Sequence, residues 1–307
     1  MYALHRLRTL GFSVQVFEVG DGVGGTWYWN RYPGARCDVN SLEYSYQFSQ
    51  ELQQQWNWSE KYAPQPEILN YANHVADRFD LRRDICFSTR VQTMTFDQKN
   101  NSWQLQTEQG EIFQASYCIM ATGCLSKNNI PDFEGLGKFQ GRLLHTGDWP
   151  HEKVDFSGQR VGIIGTGSSA IQAIPQIAEQ AASLTVFQRT PSFSIPAHNA
   201  PMDKSYEKSI KSRYADFRQD NSKRYAALNN NPNSVSALEV SDDEREAEYE
   251  ARWQAGGLAF LASFNDLAIN IDANKTAAAF VRKKIHQIVE DQALAKRLCP
   301  QTVLGCK

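Results

Sequence analysis

The chain has 307 residues, 41% hydrophobic and 21% charged, with 32 basic against 34 acidic side chains and a formal net charge of −2. That length gives room for about two domains of ~150 residues, and the charge balance offers no reason to expect nucleic acid or an anionic membrane as partner. No run approaches the roughly 18 apolar residues of a membrane span. No secretory pattern opens the sequence, and the six cysteines form neither a C-x-x-C pair nor a zinc-spaced cluster, so the expectation is a reduced cytoplasmic chain.

In chain order, Ala3, Leu4, Leu7 and Leu10 recur at helical spacing until Gly11, and Val14, Val16 and Val19 then alternate as a strand around Glu18. In a βαβ dinucleotide unit an acid at the end of the second strand grips a ribose hydroxyl, about 20 residues after a G-x-G-x-x-G turn. Only 17 residues precede Glu18, so the glycine turn has no room and the chain is expected to begin inside such a unit. Residues 24–38 (GGTWYWNRYPGARCD) interleave Trp27, Tyr28 and Trp29 with Arg31, Arg36 and paired glycines, which fits a ring-stacking platform beside a phosphate path. Asp38 adds a carboxylate beside it.

Residues 86–120 alternate in short runs broken by turn signals at 97–101 and 109–110, predicting a small antiparallel meander. It leads into an apolar strand, Tyr117–Met120, that ends at Ala121-Thr122-Gly123. Phe139, Gly141, His145, Trp149 and Pro150 lie in the link to the next unit, where His145 is expected to act as a hinge or relay.

Residues 160–190 predict a complete βαβ unit: strand 160–164, tight turn 165–170, helix 171–182 kinked at Pro175, and strand 184–187. The turn Gly165-Thr166-Gly167-Ser168-Ser169-Ala170 lets the backbone approach a pyrophosphate, and the helix N-terminus behind it supplies N–H donors and a positive dipole end. Beyond the second strand, where NAD-binding units place an acid, stand Arg189 and Thr190. An arginine there pairs with the 2′-phosphate of NADP, which an acid would repel. Residues 199–300 are polar and helical, with a capping box at Ser241–Glu244 and a long helix over 272–289 presenting Ala278, Phe280, Val281, Ile285 and Ile288 on one face. Residues 302–307 look like the approach to a further strand.

Together these residues resemble the Baeyer–Villiger monooxygenases. The pattern F-x-G-x-x-x-H-x-x-x-W-P is met at Phe139, Gly141, His145, Trp149 and Pro150, and G-G-x-W-x-x-x-R-Y-P-G-x-x-x-D at Gly24, Gly25, Trp27, Arg31, Tyr32, Pro33, Gly34 and Asp38. Within the family the likeness is to the phenylacetone and cyclohexanone monooxygenase branch. The resemblance implies an α/β fold of two Rossmann-like dinucleotide-binding domains, for FAD and NADP, with a β-meander and a helical insertion. The boundaries would be 1–127 for FAD, 128–198 for NADP, 199–300 for the insertion and 301–307 for the return to the NADP domain. It implies that NADPH reduces FAD, that the reduced flavin captures O2 as a peroxide, and that this peroxide converts a ketone to an ester or lactone or oxidises a sulfide.

By position, Glu18 would hold the FAD ribose, with Thr26, Trp27, Tyr28, Trp29, Asp38 and Tyr44 along the flavin and Val91 on the adenine side. Gly165, Thr166, Gly167, Ser168, Ser169, Gln172, Arg189, Thr190 and Lys307 would hold NADP. Asp38 and His145 are the expected catalytic residues. The family's active-site arginine would fall immediately after Lys307, so the chain is expected to be a piece lacking parts of its own site. The alternatives are a sulfide- or amine-oxygenating flavin monooxygenase, disfavoured by Trp149-Pro150, and a non-catalytic NADP-binding fragment.

Overall fold

The computed structural model describes residues 1–231 and 233–305. Its helices are α1 (Tyr2–Thr9), α2 (Thr26–Trp29), α3 (Gln50–Gln55), α4 (Gln65–Arg78), α5 (Ser168–Ala178), α6 (Lys204–Lys211), α7 (Tyr214–Ser222), α8 (Asp242–Ala255), α9 (Ile271–Ile288) and α10 (Gln292–Leu298). Its strands are β1 (Val16–Phe17), β2 (Ile85–Cys86), β3 (Val91–Asp97), β4 (Ser102–Thr107), β5 (Ile112–Ala115), β6 (Arg160–Ile164) and β7 (Ser183–Phe187). The chain is α/β and divides into two compact units, Met1–Tyr32 with Gln65–Lys153, and Pro33–Pro64 with Val154–Lys307. This is a different partition from the cofactor-domain boundaries read in the sequence, because residues 33–64 join the second unit.

In the first unit α4 buries Ile68, Tyr71, Ala72, Val75 and Ala76, the i, i+3, i+4 stripe of an amphipathic helix. The strand expected around Glu18 narrows to β1, which pairs in parallel with β2. The strand expected to run from Cys86 to Thr95 is split, because Ser88 takes a left-handed conformation (φ 51°) that no strand accommodates. Its first part becomes β2 and its second part β3. The meander forms as β3-β4-β5, antiparallel throughout, with Leu105 buried and the Phe96 ring tilted against Trp103 opposite it at 5.2 Å.

Tyr117–Met120 does not form the expected strand. A strand needs a neighbour for its backbone donors and acceptors, and no described segment pairs with it. Tyr117, Ile119 and Met120 are accordingly exposed.

In the second unit β6 and β7 pair in parallel from Arg160↔Ser183 to Ile164↔Phe187, joined by α5. The helix begins at Ser168, three residues earlier than expected, since Gly167 can serve as the N-cap. It continues through Pro175 for three more residues to Ala178. The helical segment builds its own core: Tyr249, Trp253, Phe260, Phe264 and Phe280 pack ring against ring at centroid distances of 5.4 to 6.3 Å. The Ser241–Glu244 capping box closes as expected at the start of α8. On α9 Ala278, Phe280 and Val281 are buried, but Ile288 is exposed, lying in the last turn beyond the reach of that core. Residues 302–305 form a bend and turn.

Candidate functional site

In the first unit the two glycines at 24 and 25 are both left-handed (φ 126° and 52°) and turn the chain into the four-residue helix α2. A Cβ on Gly24 would lie 2.6 Å from the Leu69 side chain, so the turn is pressed against α4. Of the three aromatics on α2, Tyr28 faces inward. It is buried, its hydroxyl donates to Asp21 Oδ1 at 2.7 Å, and its carbonyl accepts the Arg31 guanidinium at 2.9 and 2.6 Å. Burial, then Asp21, pushes its pKa up. Its side chain is therefore engaged by the loop itself. Trp27 and Trp29 remain half-buried and Thr26 exposed.

Glu18 sits where β1 ends, and its Oε1 accepts the Gly20 N–H at 2.9 Å. Val91 opens β3, half-buried. His145 Nδ1 accepts the Gly147 N–H at 3.0 Å, so the neutral ring carries its proton on Nε2. The His145 carbonyl accepts the Asp148 N–H at 3.0 Å, making a tight turn ahead of buried Trp149.

In the second unit β6 ends at Ile164 and the chain turns through Gly165 (φ 104°), whose N–H donates to the Phe187 carbonyl at 2.9 Å. Nothing lies within 4 Å of a Cβ built on Gly165 or Gly167. Gly167 caps α5 without any side-chain acceptor, and no acidic residue stands in the first turn. The helix thus presents its first N–H groups and its positive end, with Ser168 and Ser169 beside them, to open space. Thr166 Oγ1 donates to the Thr190 carbonyl at 3.3 Å, tying this turn to the end of β7, where Arg189 is exposed.

Gln172, one turn into α5, accepts the Arg36 N–H (3.3 Å) and donates to the Arg36 carbonyl (3.1 Å) and to Asp38 Oδ1 (3.4 Å). Asp38 keeps an exposed face, yet the protein packed around it raises its carboxyl pKa. Gly34 (φ 79°) lies against the same helix, so closely that a Cβ on it would stand 2.3 Å from the Gln172 carbonyl oxygen. Tyr44 is partly exposed and hangs from the Asn40 carbonyl by its backbone. Lys307 lies outside the described residues.

The sequence reading missed a cavity of about 490 Å³ in this second unit, lined by Asp38, Glu43, Lys61, Met202, Leu228 and Leu258 among others. Lys61 donates to the Ala255 carbonyl at 3.2 Å and lies 5.1 Å above the Tyr62 ring, and burial lowers its pKa. Burial raises those of Glu43, Tyr62 and Tyr206. No pattern of spacing marks these residues, which come from five separate stretches of chain. Among the described residues no cluster of His, Cys, Asp and Glu could hold a metal ion, and no helix is long and apolar enough to cross a membrane.

A family model for the pyridine nucleotide-disulphide oxidoreductases matches residues 38–252. The chain is 41% identical to a Baeyer–Villiger monooxygenase of Pseudooceanicola batsensis over 98% of its own length and 56% of the relative's. A solved structure of an oxidised steroid monooxygenase bound to NADP superposes with a TM-score of 0.96 at 52% identity, over 100% of this chain and 59% of that one. The chain belongs to the Baeyer–Villiger monooxygenase family. A phenazine N-monooxygenase of Lysobacter antibioticus is also 41% identical, over 98% of this chain and 56% of that protein. The chain therefore spans a little over half the length of these family relatives.

Proposed function

We propose that this chain forms the NADP-binding part, and a portion of the FAD-binding part, of a Baeyer–Villiger monooxygenase that inserts one atom of O2 beside a ketone carbonyl to give an ester or lactone. In this reading residues 1–127 belong to the FAD domain, 128–198 and 301–307 to the NADP domain, and 199–300 to a helical insertion, making two Rossmann-like domains. The observation that carries it is the uncapped N-terminus of α5 behind the open Gly165-Thr166-Gly167 turn, with Arg189 exposed at the end of β7. These residues fit a dinucleotide: the space a side chain would fill is empty, the donors lack side-chain partners, and the local charge is positive.

For FAD the fit is partial. Glu18, Thr26, Trp27 and Trp29 keep surface for a ribose and a ring, while no glycine turn occurs among residues 1–17.

Bound NADPH and FAD would supply the reducing equivalents and the activation of O2. The protein's own residues bind and orient. The amides of Ser168 and Ser169 hold the pyrophosphate of NADP, and Arg189 with Thr190 holds its 2′-phosphate. Gln172 keeps Asp38 and the Arg36 backbone in register with α5. Asp38, with its raised pKa, is a carboxyl able to hold a proton nearer neutrality than an ordinary aspartate. His145, with its proton on Nε2, makes the turn that links the two nucleotide domains.

A second reading, oxygenation at nitrogen or sulfur, is favoured by the likeness to the phenazine N-monooxygenase, which equals that to the ketone oxidiser. Incubation of the holoenzyme with NADPH, O2 and cyclic ketones, sulfides or N-heteroaromatics decides between them by product analysis. Ester or lactone supports the first reading, and N-oxide or sulfoxide with no ester overturns it.

A further inference from the structure

We propose that Glu43 and Arg252 are specificity-determining positioning residues, a two-sided clamp that fixes the Leu228–Asn230 wall of the 490 Å³ cavity and so limits the size of the apolar organic molecule it admits. The wall belongs to a strap of chain in which Ala226, Ala227 and Asn231 are all left-handed (φ 55°, 54° and 38°), a conformation that asparagine tolerates but that alanine holds only under constraint. The constraint is visible on both sides. Glu43 Oε2 accepts the Asn229 N–H at 2.7 Å and the Asn221 Nδ2 at 3.2 Å, while Arg218 holds the Glu43 carbonyl at 2.6 Å. From α8, Arg252 donates to the carbonyls of Asn230 (3.0 Å) and Asn231 (2.9 Å), and its Nε is fixed by Glu248 at 2.7 Å. Arg224 additionally reaches the Asn229 side chain.

The strap is thus gripped by a carboxylate on its amide and by a guanidinium fork on its carbonyls. Both contacts are charge-assisted, and the bonds to the Asn229 amide and the Asn230 carbonyl are partly shielded from water, the setting in which such bonds are strongest, while that to the Asn231 carbonyl is exposed. The cavity behind the wall has the volume of a small-molecule site. Its lining mixes Met202, Leu228, Leu258 and alanine side chains with the charged groups of Asp38, Glu43, Lys61 and Asp203. A neutral, largely apolar molecule with one hydrogen-bonding group suits that lining.

The size-selection part of this inference rests on the ketone-oxidising reading. The clamp itself does not.

The test compares wild-type holoenzyme with Glu43→Ala, Glu43→Gln and Arg252→Lys. Trypsin cleavage after Arg224 reports opening of the strap. The KM ratio between a monocyclic and a polycyclic ketone reports the wall. Glu43→Ala is expected to speed cleavage about tenfold, or about 1.4 kcal/mol, and to shift the KM ratio about tenfold towards the polycyclic ketone. Glu43→Gln, which keeps an acceptor without the charge, is expected to fall between. Arg252→Lys, which keeps the charge without the fork, covers the case in which the alanine variant does not fold.

Unchanged cleavage overturns the clamp, and faster cleavage with an unchanged KM ratio overturns its role in specificity. A wild-type protein that oxidises no ketone refutes the proposed function alone. The clamp is then judged by cleavage together with the affinity of the apolar dye 1-anilinonaphthalene-8-sulfonate, where no change in either overturns it.

Discussion

Replacing Gly34 by alanine tests how closely residues 33–64 are fitted to α5. A Cβ at this position would stand 2.3 Å from the Gln172 carbonyl oxygen, 3.0 Å from its carbonyl carbon and 3.1 Å from Gln176 Cγ. The Gln176 side chain can swing away, but the Gln172 carbonyl belongs to the α5 backbone and cannot move without the helix. The left-handed φ of 79° adds about 1–2 kcal/mol for any residue with a Cβ, and overpacking against backbone adds about 1–3 kcal/mol. The sum, about 2–5 kcal/mol, corresponds to a fall of about 5–15 °C in the heat-unfolding midpoint for a unit of this size.

Gly25 is the control. It is also left-handed (φ 52°), but nothing lies within 4 Å of its Cβ, so Gly25→Ala bears the conformational cost alone. Differential scanning calorimetry of the two variants isolates the contact with α5. NADP affinity should fall in Gly34→Ala and stay constant in Gly25→Ala, because only the former displaces the helix whose N-terminus is proposed to hold the pyrophosphate. Equal midpoints in the two variants would refute the reasoning.

Arg189→Ala should raise the Michaelis constant for NADPH about tenfold, the lower end for a charge-assisted hydrogen bond given the exposure of this side chain, while leaving that for NADH nearly constant; equal effects would remove the 2′-phosphate assignment. His145→Ala should slow flavin reduction or divert turnover to hydrogen peroxide with FAD still bound, and stopped-flow reduction rates check this directly. Cys37 is buried and its thiol is pushed up to about 11, so roughly one in a thousand is ionised at pH 8 and iodoacetamide should label exposed Cys124 first. Burial raises the Asp38 pKa in the native state, so the folded chain holds that proton more tightly than the unfolded one. Stability therefore falls as pH rises from the ordinary aspartate value of about 4 through the higher native one, and Asp38→Asn should flatten the slope in denaturant titrations across that window.

What could be read beforehand was local. The glycine turn after β6, the Ser241–Glu244 box and the alternation of the meander each specify their own geometry within a few residues; the box and the meander formed as expected, while the turn closed at Gly167, three residues short of its expected end at Ala170. Tyr117–Met120 failed because an apolar run becomes a strand only beside a partner, and pairing is not written in the run itself. Ile288 failed because a helical stripe says which face is apolar but not where the opposing core ends. The cavity was invisible for the same reason: Glu43, Lys61, Leu228 and Leu258 meet through long-range packing. Tyr28 shows the limit of a motif, since three adjacent aromatics suggest a platform while the fold turns one of them inward onto Asp21.

The aromatic core of the helical segment has a kinetic consequence. Its residues all come from one continuous stretch, 237 to 304, so the contacts that stabilise it close short loops and can form quickly once that stretch has left the ribosome. The partnership between residues 33–64 and α5 is the opposite case. It spans more than a hundred positions, as the Arg36–Gln172 pair illustrates, and at ordinary translation rates of about 5–20 residues per second the early segment waits several seconds for its helix. During that interval residues 33–64 lack the contacts that α5 makes with Gly34, Arg36 and Asp38. In the cell this stretch is where a chaperone would find the nascent chain.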